Sequence, residues 1–252
     1  MVKLQDITTY LDDIFDIKNC PDPSNNGLQV EGSTDVNKAV FGVDGCRKLF
    51  QAAADWNAKF VFVHHGVSWK SGMTYFTGLN AGRLATLFCS NISLYAAHLP
   101  LDKHPEIGHN VLIAQQLELV DLKPCFEIEG INIGYQGSLQ ETMELQELIE
   151  KVDSLLFTES LAIKEGSNRV KKIGVISGGA PEAMEETVQL GLDCLVTGEM
   201  DHTHFHWAEE LGINVIAAGH YKTEVPGIKA VMKLLNEKFD IECRFVDLPT
   251  GM

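Results

Sequence analysis

Apolar runs of strand length alternate with helix-period segments along the 252 residues, and this alternation predicts an α/β protein with mainly parallel sheets covered by helices. Two further observations point the same way: the two halves repeat one grammar, and the histidine-rich tracts fall where predicted strands end. In order, a helical period covers 5–17, then come a strand at 39–43, a helix at 47–57, a strand at 59–63, a helix at 82–90, a strand at 92–97 and a helix at 109–119. The second half opens with a strand at 131–136 and a helix at 141–156. Strands at 172–176, 193–197 and 214–218 then alternate with helices at 181–191, 203–211 and 225–238, and a strand at 242–247 ends the series.

The stretch 121–130, DLKPCFEIEG, joins the two runs and is the expected boundary. It gives an N-terminal α/β domain at 1–126 and a C-terminal α/β domain at 127–252, with 225–252 able to pack back on the first. Sliding KAVFGVDG onto KKIGVISGG sets Val40 on Ile173 and Gly45 on Gly178. YAAHLPLD and AAGHYKTE both read as an apolar run, a histidine, three residues and a carboxylate, so His98 and Asp102 correspond to His220 and Glu224. Two related domains with mainly parallel sheets, facing a metal-containing cleft, are the expectation.

Charge narrows the partners. The 35 acidic residues against 20 basic ones leave a formal charge of −15, which disfavours nucleic acid and anionic membranes when no basic cluster or arm is present. No run approaches the ~18 apolar residues of a membrane span, and MVKLQDITTY lacks the apolar stretch of a signal peptide, so a cytoplasmic location is expected. The six cysteines lie far apart with no C-x-x-C, and are expected as reduced, mostly buried thiols.

The nine histidines are not scattered; they gather in VHHG, AAHLPLDKHPEIGH, DHTHFH and AAGH. In parallel α/β sheets, ligands bind beyond the carboxyl ends of the strands. His64 and His65 close strand 59–63, Asp102 follows 92–97, Glu199 follows 193–197, and His220 and Glu224 follow 214–218. Neutral imidazoles with carboxylates are the usual ligands of Zn, Fe and Mn. Adjacent histidines on a continuing strand point in opposite directions, so one ion does not easily use both. Two divalent ions sharing a bridging carboxylate, from Asp102 or Glu224, use both naturally. Each piece has a plainer reading. His64 and His65 alone fit a capping or core pair, and 220–224 fits a helix entry with Thr223 as N-cap and Pro226 in the first turn. Their conjunction at several strand ends favours metal, with His64, His65, Asp102, His220 and Glu224 as the ligands.

Two other tracts are weaker. TGEMDHTHFHWAEE reads as a loop entering helix 203–211, with Asp201 or Thr203 as N-cap and the histidines as cleft wall rather than ligands. Ser177-Gly178-Gly179-Ala180 precedes a helix and could cradle a phosphate, but it has no P-loop lysine and no dinucleotide spacing, so a tight turn is the better account.

With these pieces in hand, the sequence resembles the NIF3-like family, also described as dinuclear metal centre proteins and as homologues of GTP cyclohydrolase 1 type 2. The matching pieces are SNNGLQVEG (24–32), GVDG (42–45), FVHHGVSW (62–69), AAHLPLDKHPEIGHN (96–110), VTGE (196–199) with His206 downstream, AAGHYKTEVPGI (217–228) and FVDLPTGM. The resemblance implies a pair of α/β domains, a two-metal site on the same five residues, and a toroidal homohexamer. The extra domain that longer members carry between the halves is missing here.

Two functions compete. A pair of metal ions can bridge a hydroxide and stabilise oxyanion charge, which suits a metal-dependent hydrolase acting on an amidine-like C–N bond, as a cyclohydrolase requires, or on a phosphoester. His98 or Glu199 would then carry the proton. A small-molecule substrate is expected, with Arg83, Lys70 and Lys103 as the cations available to a phosphate. The alternative is a non-catalytic metal-binding or regulatory ring.

Overall fold

The computed structural model describes residues 1–252. Its elements are, in chain order, β1 (Val2–Lys3), α1 (Leu4–Phe15), β2 (Gly27–Val30), β3 (Asp35–Val36), β4 (Lys38–Asp44), α2 (Arg47–Asp55), β5 (Phe60–His65), α3 (Gly78–Ser90), β6 (Ser93–Ala96) and α4 (Leu99–Asp102). There follow α5 (His109–Gln116), β7 (Val120–Ile128), β8 (Ile131–Glu144), α6 (Leu145–Leu156), β9 (Leu161–Lys164), β10 (Arg169–Gly179), α7 (Ala183–Gln189) and β11 (Cys194–Glu199). The last are α8 (His204–Leu211), β12 (Asn214–Ala217), α9 (His220–Thr223), α10 (Val225–Lys238) and β13 (Glu242–Phe245).

The chain divides into two compact units, Met1–Leu101 with Gly227–Leu248, and Asp102–Pro226 with Pro249–Met252. The division therefore lies well before the expected 126/127. The physical reason is that the supposed linker is itself structured: β7 pairs antiparallel with β8, and α5 contributes Val111, Ile113 and Ala114 to the core under the second sheet. Most of the C-terminal segment goes with the first unit, because β13 pairs parallel with β4.

In the first unit, β13, β4, β5 and β6 run parallel and β2 closes the edge antiparallel. FVFVHH in β5 shows why these residues make a central strand: it is apolar on both faces, as a sheet covered on both sides requires. Val61 and Val63 join Val40, Leu49, Leu87 and Leu94 in one core cluster. Phe60 and Phe62 alternate onto the opposite face, where Phe62 packs 5.8 Å from the Tyr95 ring and 6.0 Å from Phe15 of α1.

The second unit has the order β7-β8-β10-β11-β12-β9. Only β10, β11 and β12 are mutually parallel; β7, β8 and β9 pair antiparallel. Both units thus share three parallel strands with an antiparallel strand, β2 or β9, beside the third, and a short helix, α4 or α9, just beyond it. This is the internal likeness expected from the strand and histidine matches.

Candidate metal centre

In the first unit the sheet delivers three histidines to one place. His64 and His65 are the last residues of β5, and His98 follows β6, the next parallel strand. Their ring centroids lie 4.6 Å (His64 and His65), 4.9 Å (His64 and His98) and 5.6 Å (His65 and His98) apart. One ligand atom from each falls within 4.8 Å of the others. Strand alternation therefore does not keep the rings of His64 and His65 apart at the end of β5.

Each of these rings has its Nδ1 on an oxygen: His64 on the Ala97 carbonyl, His65 on Asp44 Oδ1 and His98 on Asp22 Oδ1, all at 2.9 Å. Nδ1 donates in each pair, which leaves Nε2 as the lone-pair nitrogen. Asp44 is the register partner of His65 across the β4/β5 pairing. The Asp22 side chain is 1% exposed. Burial raises its pKa, but hydrogen bonds and charge from His98, with help from Asn26 and the Ser24 N–H, outweigh this and hold the carboxyl below its ordinary value.

In the second unit the acids and the remaining histidine converge on the end of β10. Ser177 Oγ donates to Asp102 Oδ1 at 3.0 Å, and the Ser177 N–H donates to Asn110 Oδ1 at 2.6 Å. The next residue, Gly178, has φ +68, and a Cβ there would stand 2.6 Å from Glu224 Oε1 and 3.3 Å from His220 Nε2. Its N–H donates to Thr223 Oγ1. Thr223 is thus engaged with β10 rather than capping α10, and the amides of Ser177 and Gly178 are bonded within the protein; in place of the expected tight turn, Ser177–Gly179 end β10 at a register irregularity against β11.

His220 sits between two carboxylates, Nδ1 at 3.1 Å from Glu199 Oε1 and Nε2 at 3.1 Å from Glu224 Oε1. The Glu224 hydrogen bond, opposed by burial and reinforced by Glu199, pushes the imidazole up to about 9. Asp102 and Glu224 are both buried, at 4% and 3% exposure. Buried carboxylates gathered beside an imidazole are costly unless a cation or proton accompanies them, and this donor set fits a divalent ion.

Sequence reasoning missed several neighbours. His109, fully buried at the start of α5, has a ring nitrogen within 4.8 Å of an Asp102 carboxylate oxygen. Asp22, Asp44 and Asn110 orient site residues; the first two could have been suspected only from the PDPSNN and GVDG motifs. Glu199 emerges as the acceptor for His220 Nδ1, and the residue also lines a cavity of about 290 Å³ with Gly219, Lys222 and Met252. The HTHFH tract splits: His204 is buried edge-on to Trp207 at 4.8 Å, while His202 and His206 are exposed. Neither Asp201 nor Thr203 caps α8 through its side chain.

All six thiols are free, but only Cys20, Cys125 and Cys194 are buried, so "mostly buried" overstates the case. No helix is long and apolar enough to cross a membrane.

Comparison with known proteins places the chain among relatives along its whole length. The sequence pattern of the Duf34/NIF3 (NGG1p interacting factor 3) family matches residues 2–250. A Pyrococcus abyssi protein named GTP cyclohydrolase 1 type 2 homolog is 42% identical over 249 residues, covering 98% of this chain and 99% of its own length. The solved structure of protein ybgI, described as of unknown function, matches with a TM-score of 0.91 and 32% identity over 100% of both chains. TTHA1606 from Thermus thermophilus gives 0.89 and 37%, again over 100% of both chains. On the extent of these matches, the chain belongs to the DUF34/NIF3 family.

Proposed function

We propose that His64, His65, Asp102, His220 and Glu224 hold two divalent metal ions, with Zn, Fe or Mn suited to the mixed imidazole and carboxylate donors, and that the protein is a metal-dependent hydrolase of small molecules. The observation that carries this reading is the common wiring of the imidazoles. His64, His65 and His220 each place Nδ1 on an oxygen at 2.9–3.1 Å, as metal-ligating histidines do to fix tautomer and orientation. When bound, such a pair of cations supplies Lewis-acid polarisation and water that ionises near neutral pH.

The chain's own residues supply the rest. Asp44 and Glu199 orient His65 and His220, and Ser177 steadies the Asp102 carboxylate. Glu199, which lines the 290 Å³ cavity, or His98 would carry the proton. The relatives' shared name, GTP cyclohydrolase 1 type 2 homolog, directs attention to an amidine-like C–N bond, with a phosphoester as the other bond such chemistry serves. We further infer a homohexameric ring, on the family resemblance, and a cytoplasmic location, on the free thiols.

The test is a turnover screen of metal-reconstituted protein against nucleotides, phosphoesters and cyclic amidines. Chelation should abolish turnover, and Cys46→Ala should leave it within a fewfold of the parent. Two bound ions with no turnover on any class would favour a non-catalytic metal-binding ring.

A further inference from the structure

We propose that Arg47 and Arg83 form an anion site on the first unit that takes the phosphoryl group of a small phosphorylated ligand. The site uses no metal-ligating residue. From the reading of the protein as a metal-dependent hydrolase it takes one point only, that such a ligand would be the substrate.

The unpaired charge is the main observation. The chain has four arginines, and two of them are occupied: Arg169 pairs with Glu144 at 4.0 Å, and the Arg244 guanidinium lies 5.9 Å from the centroid of the Trp56 ring. Arg47 and Arg83 have neither an acid nor a ring, in a chain with 35 acidic residues to choose from. Arg83 Nε is moreover buried with no acceptor. Folded proteins rarely leave a buried donor unmet unless an ion or a water meets it.

The packing of α2 on α3 brings the two arginines to one place. Arg47 opens α2, and its Nη1 comes to 4.0 Å from where a Cβ would stand on Gly82, the residue before Arg83. Lys48 follows Arg47, and the first turns of both helices hold no acid. Bases at the start of a helix are opposed by its dipole, and a helix end selected for stability alone would carry acids there. An anion reverses the balance, because it is attracted both by the bases and by the first N–H groups, which neither Cys46 nor Thr77 caps with its side chain. Guanidinium forks pair with the oxygens of a phosphoryl group through parallel N–H···O bonds, and this favours a phosphoryl group over a simple halide.

The position suits a ligand of the same protein surface that holds the β5 histidines. α2 and α3 are the crossovers between the parallel neighbours β4, β5 and β6, so both helices start at the carboxyl edge of the sheet, where α/β proteins hold ligands. Arg47 comes just after Asp44, the acceptor of the His65 Nδ1 proton.

The experiment titrates the full chain with phenylphosphonate, a phosphomonoester analogue that a hydrolase does not cleave, and separately with inorganic phosphate. Calorimetry gives the affinity, proton–nitrogen NMR of the arginine side chains gives the place, and metal content is recorded for every sample. Phenylphosphonate should bind no more weakly than phosphate and should shift the Arg83 Nε–H signal. Arg47→Gln and Arg83→Gln should each weaken binding by about 10–100-fold with metal content unchanged, and Arg83→Lys, which keeps the charge and loses the fork, by less. Thermal melts identify a variant that fails to fold; Arg47 is exposed, so Arg47→Gln keeps the test open if Arg83→Gln does not fold. Parent-like affinity in folded Arg47→Gln, or binding of inorganic phosphate with exclusion of phenylphosphonate, overturns the proposal. So does a loss of binding that follows a loss of metal across the variants. The two readings separate: phenylphosphonate bound through both arginines by a protein that holds no metal leaves this site standing and removes the dinuclear reading. Two bound ions with an affinity unmoved by either substitution does the reverse.

Discussion

Asp44 and His65 are register partners on adjacent parallel strands, and the Asp44 carboxylate accepts the His65 Nδ1 proton at 2.9 Å. The pairing explains why an acid ends the GVDG strand beside the VHHG strand. Asp44→Ala should keep the fold, since the carboxylate is 39% exposed, and weaken metal binding by about 10–100-fold. Competition titration with a chromophoric chelator measures this; unchanged affinity would remove Asp44 from the metal wiring.

Asp102→Ala or Glu224→Ala should lower the metal content to one ion per chain or fewer, because a carboxylate shared by two cations serves both. Elemental analysis of the folded variants is the check. Two ions retained in both single variants would contradict a bridging role for either acid.

Gly178→Ala tests the packing at the end of β10. A Cβ at φ +68 is strained by about 1–2 kcal/mol and would stand 2.6 Å from Glu224 Oε1, so the Glu224 side chain must shift. A lower melting temperature together with reduced metal content is expected. A drop in melting temperature with full metal content would show that Glu224 placement does not depend on this close approach.

Alkaline stability follows from the buried thiols. Burial pushes the Cys243 thiol up to about 11, and burial, aided by Asp193, raises Cys194 further. An unfolded thiol ionises near pH 8.5, so above that the unfolded chain binds fewer protons than the folded one and stability falls. The stabilising contribution is complete below about pH 8.5 and is lost as pH climbs towards the folded values. For fully buried Cys194 the slope is about 1.4 kcal/mol per pH unit. Urea unfolding of Cys194→Ala in reducing buffer between pH 8 and 10 should show a shallower decline than the parent; parallel declines would count against it.

Much of this was legible from sequence. FVFVHH states its strand, its two buried faces and its terminal histidines in six residues, and the match of His98 and Asp102 to His220 and Glu224 reflects a real correspondence of α4 with α9. What was not legible depends on partners distant in the chain. DLKPCFEIEG looks like a linker because half of β7 is exposed, and only its pairing with β8 makes it a strand. The short edge strand β9 carries too few residues to show a period. Asp22 is an ordinary loop acid in the sequence; its meaning comes from His98, which reaches it only through the fold.

The most direct test of the central claim is the metal content of the purified, reconstituted protein, measured by inductively coupled plasma mass spectrometry against amino-acid analysis. Two divalent ions per chain are predicted, falling in the His64→Ala, His65→Ala and His220→Ala variants. A folded protein that binds no more than a trace of metal, or whose content is unmoved by all three substitutions, would contradict it.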